Sequence, residues 1–263
     1  MKIIVCMKQV PASSKVEVDP ENGTLKRMGV ETKTNPYDLF GLETALQIRE
    51  KVGGTVTVLT MGPAQAKEMM YDAFAMGADD AVILSDKKFA GSDVLATSYT
   101  LSQGIRALLG ADLIICGKQT TDGDTAQIGP AIAEHLNIPH AAWVSKISGV
   151  DEEKIRVNQN LGSVSQLSEM RYPCLITVEN DIVVARLPSY RKMKKIGQKE
   201  IQYLSFENLP DKNLSRYGLI GSPTSVEKIF PPETKNGQEY IKGNIEEKIE
   251  CFCEILKAKK FML

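Results

Sequence analysis

Short apolar runs alternate with stretches of helical periodicity from residue 2 to residue 144, and few folds accommodate that rhythm. Residues 2–10 read as one buried strand. From Pro36 to Lys51 the apolar residues Leu39, Leu42, Ala45, Leu46 and Ile48 recur at helical spacing, and Gly53-Gly54 stops the helix. Thr55–Thr60 predicts a second strand, and Gly62-Pro63 turns into a helix running to about Met76. Ala81–Leu84 reads as a third strand, and Ser92 or Asp93 can cap a helix running to about Leu109. Asp112–Cys116 is a fourth strand, a Gly- and Asp-rich loop leads to a helix ending near Leu136, and Ala141–Val144 is a fifth strand. Strands alternating with helices imply an α/β fold, a doubly wound parallel sheet of Rossmann-like type covered on both faces.

The rhythm changes after Lys146. Lys154–Asn158, Val164–Met170 and Leu175–Val178 are β-rich with no helical pattern between them, and they predict an antiparallel extension of the sheet. Asn22-Gly23, between Val16–Asp19 and Thr24–Arg27, predicts a hairpin. Beyond Asn180 the core signal fades. Residues 186–199 are basic and contain no acid, residues 205–242 show little periodicity, and a last amphipathic helix spans about 245–259. We therefore divide the chain into an α/β domain, 1–185, and an arm and C-terminal tail, 186–263, that lies on a partner.

Composition removes several function classes. A formal net charge of -1 gives no field toward nucleic acid or an anionic membrane. No apolar stretch reaches membrane-spanning length, and Met1–Met7 reads as a strand, not a leader. Five cysteines in no framework spacing point to a reducing compartment, so the chain is expected in the cytoplasm. The Cys251-x-Cys253 pair has no second pair, and His135 and His140 have no ligand or catalytic partner at useful spacing. No metal is expected, and no acid–base or nucleophile constellation stands out. The residues favour binding and redox work over group transfer.

In a parallel sheet ligands bind beyond the carboxyl ends of the strands, so the loops after residues 10, 60, 84 and 116 should line the site. The most informative is Gly117-Lys118-Gln119-Thr120-Thr121-Asp122-Gly123-Asp124-Thr125-Ala126-Gln127-Ile128-Gly129-Pro130. It follows a buried strand and opens a helix, where free N–H groups and the helix dipole favour a phosphate. Gly123 would permit the tight turn, Thr125 offers a hydroxyl and Gln127 an amide. A helix capped by Asp124 is the plainer reading of the same residues. Asn35-Pro36-Tyr37-Asp38 places Pro at a helix start, with Asn35 either capping or facing the ligand. Met61-Gly62-Pro63 repeats the strand–turn–helix logic. The Phe89–Ser98 segment puts an aromatic, a glycine and Thr97 at a strand's carboxyl edge, where they could hold a ring system or form an ordinary capped helix.

Taken together these segments resemble the beta subunit of electron-transfer flavoproteins over essentially the whole chain. The carriers are Val5–Pro11, Asn35–Asp38, Met61–Gln65, Ala75–Asp79 and the Gly117–Pro130 loop. The resemblance implies a heterodimer with an alpha subunit that carries FAD. It also implies an adenine nucleotide held by Cys6, Asn35, Pro36, Tyr37, Asp38, Met61, Gly62, Phe89, Thr97, Asp122, Gly123, Asp124, Thr125, Ala126, Gln127 and Gly129. In simple members the nucleotide is AMP, and the subunit is a plain electron carrier. Another branch puts a second FAD there, oxidises NADH, and bifurcates the electrons to ferredoxin or flavodoxin and, through the alpha-subunit FAD, to an acyl-CoA dehydrogenase-type enoyl-CoA reductase. Val16–Pro20 with Gly23–Leu25, and Phe89–Asp93 with Leu95–Leu101, resemble that branch, with a departure at Ser92-Asp93-Val94. The expected role is thus the electron-transfer subunit of an NADH-dependent flavin oxidoreductase complex, in which the flavin carries the chemistry and no side chain is catalytic. The basic arm resembles the loop that docks on the dehydrogenase, with Leu187, Tyr190, Lys192, Lys194 and Lys195 facing the partner. An AMP- or ATP-sensing module of the same shape also fits the residues alone.

Overall fold

A computed structural model of the chain describes residues 1–12, 31–225 and 240–262. The hairpin expected around Asn22-Gly23 lies outside the described residues. The chain divides into two compact units, Met1–Glu227 and Lys228–Leu263.

In the first unit the elements are β1 (Lys2–Cys6), β2 (Gln9–Pro11), β3 (Thr32–Thr34), α1 (Pro36–Val52), β4 (Thr55–Met61), α2 (Lys67–Met76), β5 (Asp80–Leu84), α3 (Val94–Ala107), β6 (Leu113–Gly117) and α4 (Ile128–Leu136). Then follow β7 (His140–Val150), β8 (Lys154–Asn160), β9 (Ser165–Arg171), β10 (Cys174–Val178), the one-turn α5 (Tyr190–Met193) and β11 (Ile201–Leu204). Nine strands form one sheet in the order β11-β5-β4-β1-β6-β10-β7-β8-β9, and β2 pairs with β3 separately. All pairs from β11 to β7 are parallel, and only β7–β8 and β8–β9 are antiparallel. Apolar residues fill both faces. Leu42, Leu46, Met70 and Ala73 of α1 and α2 pack on Ile3, Val5 and Val58. Leu101, Ile105, Ile132 and Ala133 of α3 and α4 pack on Ile4, Leu59 and Ile114. Each such buried Leu, Ile, Val or Met side chain contributes roughly 1.5–3 kcal/mol.

The parallel part of the sheet is larger than the sequence suggests. Leu175–Val178 does not belong to the antiparallel extension. The β8–β9 hairpin carries the chain out and back, and β10 enters parallel between β6 and β7. Every residue of Cys174–Val178 is buried, as befits a strand covered on both faces, and such a run carries no alternation that would tell parallel from antiparallel. The tail beyond Asn180 also contributes core. β11 closes the parallel edge beside β5, and Leu204, Phe206, Leu209 and Tyr217 are buried. Leu204 ends β11, and Phe206, Leu209 and Tyr217 lie in or just after short 3-10 turns at irregular spacing, so no period announces them.

Chain order reverses at the centre of the sheet. From β1 the chain winds one way through β4 and β5, then β6 starts the other side of β1. Cys6 stands opposite Cys116 at that switch point, where the crevice of an open α/β sheet forms.

The second unit holds α6 (Ile245–Ala258), capped by Asn244 and Glu247 in a reciprocal box. Its Ile245, Ile249 and Phe252 are exposed. Among the described residues no helix is long and apolar enough to cross a membrane.

Candidate functional site

The carboxyl ends of β1, β4 and β6, with the segments that follow them, enclose a cavity of about 340 Å³. Cys6 lines it from the end of β1 with Met7 just after it, Met61 from β4, Val94, Thr97 and Leu101 from α3, and Cys116 and Gly117 from β6. The loop after β6 adds Gly123, Thr125, Ala126 and Gln127, and α4 adds Ile128 and Gly129. Burial and a hydrogen bond with Cys6 push the Cys116 thiol well above its ordinary range, the hydrogen bond contributing most. The Cys116 thiol therefore stays protonated and inert.

The helix after β6 starts later than its sequence suggests. α4 begins at Ile128 with Gln127 at the cap position, and Asp124 does not cap it. The Asp124 carboxylate accepts from the Gln119 amide, and the Asp124 N–H donates to Thr120 O at 2.9 Å. Gly123 is not the left-handed residue of the turn. Asp124 (φ 53°) and Ala126 (φ 56°) are, and a Cβ at Gly123 would make only an ordinary 3.6 Å contact with Thr120 Oγ1. A left-handed Ala126 followed by Gln127 at φ -111°, ψ -20° turns successive N–H groups to one side, a concavity suited to an anion. Among the described residues no side chain caps α4, and no acid lies in its first turn, so the positive end of its dipole is open. Gly129 allows α4 to sit this low, because a Cβ there would run into Thr177 Cγ2 on β10.

The start of α1 holds this loop in place. Asn35 is fully buried and is not a side-chain cap. Its Nδ2 donates to Gln119 O at 2.9 Å and its Oδ1 accepts from the Thr121 N–H at 3.3 Å. Asp38 reaches the cavity and accepts from the Lys8 N–H at 2.7 Å. Burial raises its carboxyl to about 7, against hydrogen bonds from the Lys8 N–H, the Asn35 amide and the Gly117 N–H that lower it. Gly117 is needed beside it, since a Cβ there would meet the Asp38 carboxylate and the Tyr37 backbone.

Of the residues singled out in the sequence, the cavity gathers Cys6, Asp38, Met61, Thr97, Gly123, Thr125, Ala126, Gln127 and Gly129. Asn35, Pro36, Tyr37, Gly62, Phe89, Asp122 and Asp124 lie outside its lining. Pro36 and Tyr37 open α1. The Gly62 N–H donates to Leu84 O at 3.0 Å, and Phe89 is buried with its ring centroid 5.9 Å from that of Tyr217. Asp122 pairs with Lys8, Nζ to Oδ2 2.7 Å.

Two lysines that sequence reasoning left out also line the cavity, Lys8 and Lys118. Each stands just past an apolar strand, a position that faces the crevice in a parallel sheet, and that spacing is the signal that could have found them. The Lys118 ammonium lies 3.0 Å from Glu179 and 4.7 Å from the Trp143 ring centroid. Trp143 itself is left-handed (φ 59°), an uncommon state for a bulky residue, and its N–H donates to Thr177 Oγ1 at 2.9 Å. Ser92, Asp93 and Val94 complete the α3 side.

The basic segment sits on the opposite edge of α1 and α2. Arg186 is clamped to Glu43 at 2.6 Å and Glu50 at 2.8 Å. Burial raises the Glu43 carboxyl, but the Arg186 guanidinium outweighs it and holds the group below the usual range. Leu187 and Tyr190 project into solvent, 86% and 72% exposed, with Lys194 Nζ 4.8 Å from the Tyr190 ring centroid. Lys192 turns back and donates to Met76 O at 3.2 Å, at the C-terminal end of α2. Lys195 is exposed.

Comparison with known proteins agrees with this architecture. A model of the electron transfer flavoprotein domain matches residues 22–208. The chain is 41% identical over 261 residues to the electron transfer flavoprotein subunit beta of Thermoanaerobacterium thermosaccharolyticum, covering 98% of this chain and 99% of the relative. It is 42% identical over 241 residues to protein FixA of Azorhizobium caulinodans, covering 89% and 86%. It is 41% identical over 246 residues to the caffeyl-CoA reductase-Etf complex subunit CarD of Acetobacterium woodii, covering 92% of each.

Proposed function

The chain belongs to the electron transfer flavoprotein family, among its beta subunits, and on that premise we propose that its cavity holds FAD and serves NADH oxidation with electron bifurcation. The observation that carries the reading is the open start of α4, with the Ala126–Gln127 concavity in front of it, at the lip of an apolar cavity. A nucleotide asks for this combination, N–H donors for phosphate beside Met7, Met61, Val94 and Leu101 for a flat ring. FAD would supply hydride acceptance from NADH and one-electron release, to ferredoxin or flavodoxin and, through an alpha-subunit FAD, to an acyl-CoA dehydrogenase-type reductase.

The chain's own residues bind, orient and exclude water. Thr125, Ala126, Gln127 and Gly129 present backbone and polar groups to the phosphates. Cys6, Met61 and Thr97 define the cavity walls, and Asn35 fixes the loop from behind. Asp38 holds a proton at its carboxyl on the acid side of about pH 7. Leu187 and Tyr190 on the clamped arm supply an exposed apolar anchor for the reductase, with Lys194 and Lys195 as steering charges. Exposed Ile245, Ile249 and Phe252 of α6 suit the alpha subunit. The complex named for CarD, a caffeyl-CoA reductase with Etf, supports a CoA-thioester reductase as the partner class. We place the chain in the cytoplasm.

Denaturing the purified heterodimer and identifying the released nucleotides tests the reading. Two FAD per dimer are expected. One FAD and one AMP would overturn the NADH-oxidising role and leave a plain electron carrier.

A further inference from the structure

The ion pair between Lys8 and Asp122 lies at the cavity lip, and among the described residues both segments it joins are held by other hydrogen bonds. The loop that carries Asp122 is already fixed by the buried Asn35, through Gln119 O and the Thr121 N–H, and by the Asp124 N–H on Thr120 O. The Lys8 backbone is fixed as well. Its N–H donates to Asp38 at 2.7 Å and its carbonyl accepts from the Asn35 N–H at 2.9 Å. Only the Lys8 side chain is free to choose a partner, and at 48% exposure it is held by a carboxylate that is 31% exposed. The other lysine of the lining, Lys118, has a more enclosed partner in Glu179, 12% exposed, and lies over Trp143. Lys8 lines the cavity whereas Asp122 does not.

We propose that Lys8 is a phosphate-binding residue held in reserve by Asp122, so that the ion pair acts as a latch that a nucleotide diphosphate opens. On binding, the ammonium exchanges the Asp122 carboxylate for a phosphate oxygen, and Asp122 returns to water. Asp122 then opposes binding by occupying the lysine. The inference rests on the nucleotide reading of the cavity.

The test uses ADP as the probe on the full chain freed of nucleotide by dialysis, with affinity read by calorimetry. Lys8→Met should weaken ADP binding about ten-fold, the loss of one charge-assisted contact. Asp122→Asn should tighten it about three- to five-fold, the scale of an exposed ion pair released. In the double variant the gain should vanish and the affinity should match Lys8→Met. If Asp122→Asn weakens binding, or if its effect persists without Lys8, the pair is a strap and the latch is wrong. If the wild-type chain takes up no ADP at all, the nucleotide reading fails, and the latch fails with it.

Discussion

Two helices begin at the cavity, and the chain treats their N-termini in opposite ways. α3 is closed by its own acid. Asp93 accepts from the Ala96 N–H at 3.1 Å and from the Thr224 hydroxyl and N–H at 2.7 and 3.1 Å. Burial raises that carboxyl, but these donors outweigh it and hold it below the usual range. α4 has neither a capping side chain nor an acid in its first turn. A helix start filled by a carboxylate has no place for a second anion, so on the proposed reading the phosphate would lie at α4 and the neutral part of the ligand along α3. α1 adds a third case, since its first-turn acid Asp38 turns away from its own helix to the Lys8 N–H.

The largest effect belongs to Asp38. A carboxyl that ionises near 3.8 in the unfolded chain and near 7 when folded binds a proton in the native state over the window between them. Stability from this group is therefore full below about pH 4, falls as pH rises toward 7, and is flat above. The expected loss is on the order of 4 kcal/mol. Urea titrations of the wild type and Asp38→Asn at pH 5 and pH 8 read about 3 kcal/mol of it, the part lost above pH 5. The variant should gain on the wild type as pH rises, and parallel pH profiles would show that burial does not govern this group.

Next comes the seat of α4. Gly129→Ala drives a methyl into Thr177 Cγ2 and should cost roughly 1–3 kcal/mol, with loss of nucleotide as α4 lifts. Adding Thr177→Ser removes the opposing methyl while keeping the hydroxyl that accepts from the Trp143 N–H. The double variant should recover most of the loss in melting temperature. Failure to recover would mean that α4 is not positioned by this contact.

How legible these features are in the sequence depends on their range. The strands β1, β4, β5, β6 and β7 and their helices follow from local period and caps, and Asp93 is a cap the sequence offers by itself, but residues 2–10 are not the single strand their apolar run suggests, since β1 ends at Cys6 and Gln9–Pro11 pairs with β3 in a separate sheet. The open start of α4 is different. The sequence offers Asp124 as a cap, but Asn35, 86 residues before the Thr121 it bonds, together with the left-handed Asp124 and Ala126, holds the loop so that the helix begins at Ile128. A contact that distant leaves no periodicity. The same holds for β10, whose apolar run looks alike in either direction of pairing, and for Tyr217, buried at the end of a segment without period.

Opening the closed helix should have a smaller effect than unseating α4. Asp93→Ala removes the α3 cap and the tie to Thr224, and should cost about 1–2 kcal/mol in chemical denaturation. Affinity for ADP should change little, because the phosphate is not expected there. A large gain in ADP affinity would mean that α3 can serve as an anion site once its acid is gone, and the contrast with α4 would then rest on Asp93 alone.

The smallest stability change makes the sharpest test. Gln127→Asp gives α4 the kind of cap that α3 already has. A carboxylate at the cap position can accept from the N–H groups of the first helical turn and interacts well with the dipole, so the chain without nucleotide should gain about 0.5–1 kcal/mol. The same carboxylate occupies the donors that a phosphate needs and repels it, so ADP should bind at least about ten-fold more weakly. Stability and affinity thus move in opposite directions, which a merely damaged loop cannot produce, since damage lowers both. Melting temperature without ligand and calorimetry with ADP give the two readings on one sample. If the variant is more stable and binds ADP as the wild type does, the phosphate is held elsewhere, and the open start of α4 has no part in it.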